Sequence, residues 1–262
     1  MEIITSKANE KIRLIRGLQE QRKIREREKL FVAEGTRLAE EAAAAGLRAR
    51  MILHDGRLGP RERSAVNRLA AAGGAVYQTD PEILRACSDT ASPPGLLTVL
   101  EWPELPLPQP LEWAVVADGI SNPGNLGSLM RSADAFGVPV LILAPGCVDP
   151  FNPKVVRGGM GAHLRLPLRI LDWRGIGELL AGFSFWLAES REGRPVEDVD
   201  WSGRAALIIG GEAAGPGEGA RALAAGSVRI PMRGNVESLN AAVAGAILLY
   251  EISRRKVAGE NG

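Results

Sequence analysis

Short, almost uninterrupted apolar runs, some separated by stretches of helical periodicity, mark the second half of this chain and leave it few architectures. Trp113–Ala117, Val140–Leu143, Phe185–Ala188 and Ala206–Ile209 are such runs, each too short to be a helix. A strand has this composition when both of its faces are covered, so the runs predict a parallel sheet between layers of helices. Leu126, Leu129, Met130, Ala133 and Phe136 recur at helical spacing and predict a helix over about Leu126–Phe136. A further helix is expected near Lys154–Met160, and Leu239–Lys256 reads as a closing helix.

The first hundred residues alternate differently. Phe31–Glu34, Met51–Leu53 and Ala75–Gln78 read as strands, and Arg37–Ala45 and Arg61–Ala72 as helices, which makes a small α/β layer domain. Before them, Asn9–Leu30 reads as a helix in which Ile12, Ile15 and Leu18 form a narrow apolar stripe while Lys11, Arg13, Arg16, Arg22, Lys23, Arg25, Arg27 and Lys29 face outward. Those cations are either a solvated face, interleaved with Glu20, Glu26 and Glu28, or a phosphate-contacting face. The stretch 101–110 packs four prolines into ten residues, which stiffens the chain and removes backbone donors. The expected organisation is therefore an N-terminal domain at 1–100, a proline-rich linker at 101–111 and a second domain at 112–262, as a chain of 262 residues would suggest.

Composition narrows the function classes. Apolar residues make up 45% and charged residues 24%, an ordinary globular balance that argues against disorder or fibrous repeats. The longest apolar stretch, Ala241–Tyr250, is too short to cross a bilayer and no charged-then-apolar leader opens the chain, so a cytoplasmic protein is expected. Cys87 and Cys147 are far apart and read as small buried side chains; neither a disulfide framework nor a metal site is expected. Net charge is +1, yet residues 1–37 carry ten Lys or Arg against six Glu, whereas 111–262 carry fifteen against sixteen Asp or Glu. The positive excess sits at the N-terminus.

Three glycine-rich junctions carry the chemistry. Asp118–Gly127 (DGISNPGNLG) joins a strand to a helix, where open α/β sheets bind ligands. Asn125 could cap that helix, and Arg131, off its apolar face, could point into a cleft or lie on the surface. In Ile208–Gly219 (IIGGEAAGPGEG) a buried strand runs into glycines around one acid, Glu212; glycine admits a flat ligand close to the backbone. This is neither a dinucleotide fingerprint nor a phosphate loop, which argues against a nicotinamide dehydrogenase. Ile230–Ala242 (IPMRGNVESLNAA) sets a polar cluster before the last helix, where Ser238 or Asn240 could cap it and Leu239, Val243, Ala246 and Leu249 could be core.

In this order, D-G-I-S-N-P-G-N-L-G-S-L-M-R-S-A-D-A-F-G, I-I-G-G-E and I-P-M-R-G-N-V-E-S-L-N-A-A-V-A resemble the SpoU, or TrmH-like, family of RNA ribose 2′-O-methyltransferases, over Trp113–Arg254. Residues 3–100, with F-V-A-E-G-T-R-L and S-D-T-A-S-P-P-G-L-L, look like the RNA-binding domain common in that family. The resemblance implies a C-terminal parallel-sheet α/β domain with a deep trefoil knot and a smaller N-terminal L30e-like α/β domain. It implies S-adenosylmethionine as cofactor, bound by backbone at Gly210, Ile230 and Leu239 with Gly211 and Met232 adjoining. Asn125, Arg131, Glu212, Ser238 and Asn240 match the positions the family uses around the target ribose. Gly159, in R-G-G-M-G, stands where relatives often carry Ser. The partners implied are RNA and a second copy of the chain, through the knot region and final helix; the separate N-terminal domain favours ribosomal RNA of the large subunit over tRNA. A member that binds RNA without catalysis is the remaining alternative.

Methyl transfer to a hydroxyl needs in-line positioning and a way to lose the proton. Only His54 and His163 exist, and both read as structural. The resemblance makes Arg131 the base; an arginine is almost always protonated, so it either relays the proton with help, for example from a substrate phosphate, or stays cationic as a clamp on that phosphate and on the developing alkoxide. Asn125 and Asn240 would hold Arg131 and the ribose by amide hydrogen bonds. Glu212 either accepts from loop amides or orients Arg131.

Overall fold

The computed structural model describes residues 2–211 and 215–260. In chain order the first half forms β1 (Glu2–Ile4), α1 (Glu10–Glu20), α2 (Arg22–Glu28), β2 (Leu30–Glu34), α3 (Thr36–Ala44), β3 (Ala49–His54), α4 (Pro60–Ala71), β4 (Ala75–Thr79), α5 (Pro81–Ala86) and β5 (Leu96–Glu101). The second half forms β6 (Trp113–Asp118), α6 (Pro123–Ala135), β7 (Leu141–Leu143), α7 (Pro153–Gly159), β8 (Leu168–Ile170), α8 (Trp173–Leu179), β9 (Ser184–Ala188), β10 (Arg194–Pro195), β11 (Ala205–Gly210), α9 (Glu218–Leu223), β12 (Ala224–Arg229) and α10 (Ala241–Glu260). Among the described residues no helix is long and apolar enough to cross a membrane.

The chain divides into two compact units, one of residues 1–103 with 149–164 and the other of 104–148 with 165–262. This differs from the expectation that 112–262 is one domain, because residues 149–164 fold with the N-terminal residues. The reason lies in side-chain chemistry. Phe151, Val156 and Leu164 are buried in the same cluster as Phe31, Leu38, Ile52 and Leu69. The Phe151 ring stacks on Trp102 with centroids 4.2 Å apart and meets Phe31 at 5.2 Å. Arg25 Nε donates to Asp149 Oδ2 at 2.6 Å, and its Nη1 donates to the carbonyls of Leu18 and Gln19.

That ion pair corrects a second expectation. The single helix over 9–30 is two helices broken at Gln21, whose backbone is extended, and Arg25 is buried instead of facing outward with the other cations. The N-terminal sheet has the order β1-β4-β3-β5-β2, with β3 antiparallel to β5 and β5 antiparallel to β2. β1 and β5 were not expected; β5 lies inside the sheet, between β3 and β2. Strand alternation sends Val32, Leu53 and Leu97 to the α1 side and Phe31, Ile52 and Leu100 to the side of α3 and α4.

His163 is buried in this unit, as is His54. Its Nε2 lies 2.7 Å from the Pro150 carbonyl, Nδ1 has no partner among the described residues, and burial pushes its pKa down to about 4. The ring also explains Gly159: a Cβ there would stand 3.1 Å from His163 Cε1 and 3.2 Å from Nδ1, tighter than side chains normally pack.

The second unit carries the expected parallel sheet, seven strands in the order β10-β12-β9-β11-β6-β7-β8 with each pairing parallel. The four apolar runs are its β6, β7, β9 and β11, and β6 is buried along its whole length. Because every strand points the same way, the glycine-rich junctions after β6 and β11 emerge on one edge, as does the segment after β12. Cys87 is buried as expected and its pKa is pushed up to about 11, but Cys147 is only half-buried, its thiol donating to the Ala117 carbonyl.

Candidate active site

The first junction is built by capping. Asn122 ends the loop after β6, and its Oδ1 accepts from the amides of Gly124 at 2.8 Å and Asn125 at 3.3 Å, with Pro123 in the first helical position. Asn122, not Asn125, is thus the cap of α6, and Asn125 lies three positions further in, within the first turn. Its side chain does something else: Oδ1 accepts from Asn240 Nδ2 at 3.0 Å, joining positions 115 residues apart.

Asn240 is at the same time the cap of the last helix, its Oδ1 accepting from Ala242 at 3.0 Å and Val243 at 3.3 Å. Helix α10 therefore begins two residues later than expected, at Ala241, and Val243 is exposed instead of core. One amide group stabilises a helix end and, through its other atom, links the first and third junctions.

The first and second junctions are linked by Asp118, which the sequence did not single out. It is buried, and its Oδ2 accepts from the Gly217 amide at 2.7 Å. The glycines make this approach possible: a Cβ on Gly211 would collide with the Gly119 carbonyl, and one on Gly210 with the backbone at Gly215.

Where the strand ends converge lies a pocket of about 660 Å³, within the range of small-molecule sites. Its walls are residues 188–191 after β9, 209–211 with 215–216 after β11, Ile230 and Met232 after β12, and 237–241 leading into α10, with Ala244 and Leu248 behind. Gly210, Gly211, Ile230, Met232 and Leu239, expected at the cofactor, all line it, as do Ser238 and Asn240. Asn125 is joined to the rim through Asn240. Arg131 is exposed, two turns into α6, and does not form a wall of this pocket; no hydrogen bond or ion pair connects it to another described residue. Glu212 lies outside the described residues.

The residues the sequence reasoning missed here are Glu189, Ser190 and Arg191. Their signal was the polar A-E-S-R that ends the apolar run of β9, a fourth strand end on the same edge. Glu189 is mostly buried and 3.0 Å from Arg221 of α9. The described residues hold no cluster of His, Cys, Asp or Glu suited to a metal ion.

Residues 112–250 match the SpoU rRNA Methylase family, and residues 9–98 match the MRM3-like substrate binding domain. The first match covers more than half of the chain, so the protein belongs to the SpoU rRNA methylase family. It is 29% identical over 255 residues to the 23S rRNA (guanosine(2553)-2′-O)-methyltransferase RlmP of Bacillus subtilis, covering 96% of this chain and 99% of that one. Its fold is similar to an AdoMet-bound rRNA methyltransferase from Sinorhizobium meliloti (TM-score 0.86, 28% identity, 97% of each chain covered). It is likewise similar to the SpoU methyltransferase AviRb from Streptomyces viridochromogenes in complex with AdoMet (TM-score 0.87, 29% identity, covering 95% of this chain and 99% of that one).

Proposed function

We propose that this protein transfers a methyl group from S-adenosylmethionine to a ribose 2′-hydroxyl of RNA, with large-subunit ribosomal RNA as the target. The observation that carries the reading is the convergence of all five expected cofactor positions on one pocket with Asn125 and Asn240 bonded at its rim. The pocket suits the cofactor's mixed character. Ile209, Ile230, Met232, Leu239 and Leu248 offer apolar surface to an adenine ring, while backbone at 210, 230 and 239 offers hydrogen-bonding groups. When bound, S-adenosylmethionine supplies an electrophilic methyl group on a sulfonium.

The chain's own contribution is orientation. Asn240, fixed by the α10 amides and by Asn125, and Ser238 beside it present polar atoms at the mouth of the pocket, where the attacking ribose must stand. Arg131 either relays the proton of the 2′-hydroxyl towards a substrate phosphate or stays cationic and offsets the negative charge that develops on the oxygen as that proton leaves. Because Arg131 stands outside the pocket of its own chain, we place it in the site of a second copy. The face beside it fits this: Val243, Ile247 and Tyr250 of α10 form an exposed apolar row, and α10 packs on α6. Residues 1–100 would dock the RNA, and the polar segment 230–240 would belong to the trefoil knot that the resemblance to the family implies. The ribosomal target rests on the full-length likeness to RlmP.

The test is to map 2′-O-methyl positions on ribosomal RNA with and without the enzyme. One added methylated ribose on 23S RNA is expected; methylation of a base, or of tRNA alone, would overturn the reading.

A further inference from the structure

We propose that Glu189, held by Arg221, is a cofactor-binding residue that accepts hydrogen bonds from the vicinal hydroxyls of the cofactor's ribose. The proposal rests on the reading that this pocket takes S-adenosylmethionine. Two described carboxylates line the pocket. Glu237 has a side chain 89% exposed, 3.5 Å from Arg191, which is itself well exposed. Glu189 has a side chain only 21% exposed, 3.0 Å from Arg221. Its backbone is fixed as well, because the Glu189 amide donates to the Val228 carbonyl at 2.9 Å and so continues the pairing of β9 with β12 beyond the strand end. A carboxylate so shielded and so firmly placed needs further donors once a ligand displaces water from the pocket.

The charge of the pair selects the donor. Arg221 already compensates Glu189, so a second cation such as the α-ammonium of the methionine half gains little there. Neutral hydroxyls fit: two on adjacent carbons match the two oxygens of one carboxylate, the same chemistry by which an acid after a strand reads the ribose in dinucleotide folds. Ile209 and Leu248, on neighbouring parts of the wall, leave the adenine an apolar place.

Calorimetric titration of the full chain with S-adenosylhomocysteine, its 2′,3′-dideoxy analogue and 5′-methylthioadenosine tests this. Glu189→Ala should weaken S-adenosylhomocysteine about 10- to 100-fold, the worth of hydrogen bonds to a charged group, and methylthioadenosine equally, since it keeps the diol and lacks the amino acid. The dideoxy analogue should bind wild type and variant alike. Glu189→Gln, which preserves shape, should show the same pattern more weakly and serves if the alanine variant melts early. Arg221→Met should lose several-fold on the diol ligands alone. Unchanged affinity in Glu189→Ala and Glu189→Gln, or an equal loss on the dideoxy analogue, overturns the proposal. Failure of wild type to bind S-adenosylhomocysteine at all would instead overturn the assignment of the pocket.

Discussion

The two units use the same kinds of polar side chain to opposite ends. In the N-terminal unit Arg25, Asp149 and His163 are buried. In the other unit Arg131, Ser238 and Asn240 lie at the surface, gathered near one edge of a parallel sheet or on the helix that follows it. An arginine inside a core is satisfied by the fold and has nothing left to offer a substrate, whereas Arg131, with no partner among the described residues, keeps its donors for one. The sharpest way to break this contrast is to cut the buried pair. Asp149→Ala leaves Arg25 charged and buried without its partner and should cost about 3–5 kcal/mol in denaturant unfolding. The double replacement Arg25→Met with Asp149→Leu should recover most of it. A loss below about 1 kcal/mol, typical of exposed pairs, would mean that Arg25 is solvated after all.

Arg131→Ala is the complementary cut, expected to leave stability and S-adenosylhomocysteine affinity unchanged and to lower single-turnover methyl transfer on the order of 10²- to 10³-fold, the usual effect of removing one charge-stabilising donor. Near-normal turnover would remove Arg131 from the chemistry. Mixing sharpens the result further. Arg131→Ala chains combined with chains whose pocket is blocked by Ala244→Trp should regain activity that neither has alone, because one composite site in each mixed pair is intact. No recovery, with chain exchange verified, would return Arg131 to its own chain's site.

Much of the second unit was legible because its signals are local. A strand covered on both faces must be apolar throughout, and a ligand-binding turn after it must be rich in glycine, so β6, β11 and their junctions announced themselves. What escaped was long-range. Nothing near Arg25 in sequence tells that Asp149 will bury it, and nothing in D-P-F-N-P-K tells that Phe151 will stack on Trp102 instead of returning to the sheet it came from. Strand β5, interior to its sheet, was hidden behind S-D-T-A-S-P-P-G, which reads as a loop because it is one. The capping role open to Asn125 falls to Asn122 for a related reason: three residues earlier and followed by proline, Asn122 satisfies the same capping pattern, and only the structure shows which side-chain oxygen accepts from the helix amides.

His163 allows the comparison to be made by titration alone. Its pKa is near 4 in the folded chain and near the ordinary 6.5 once unfolded, so between those values the unfolded state holds the extra proton. Stability should therefore be full above pH 6.5 and fall as the pH drops towards 4, by up to about 3 kcal/mol from this group. Denaturant midpoints across that window, compared with His163→Leu, isolate the contribution. A wild-type slope no steeper than that of the variant would show that the imidazole is charged or accessible in the folded protein.

The smallest expected effect separates two roles of one side chain. Asn240 accepts from the first amides of α10 through Oδ1 and donates to Asn125 through Nδ2. Asn240→Asp keeps an acceptor for the helix amides, and adds a negative charge at a helix start, but has no N–H for Asn125. It should melt like wild type yet transfer methyl groups more slowly, since the rim of the pocket has lost the bond that aligns it. Asn240→Ala should lose both, with about 1 kcal/mol of stability gone along with the activity. Asn125→Ala should reproduce the slow transfer of Asn240→Asp without the stability loss of Asn240→Ala. If Asn240→Asp instead turned over normally, the amide bridge between the first and third junctions would be scaffolding alone, and the surface polar groups of this unit would resemble the buried ones of the other more than their exposure suggests.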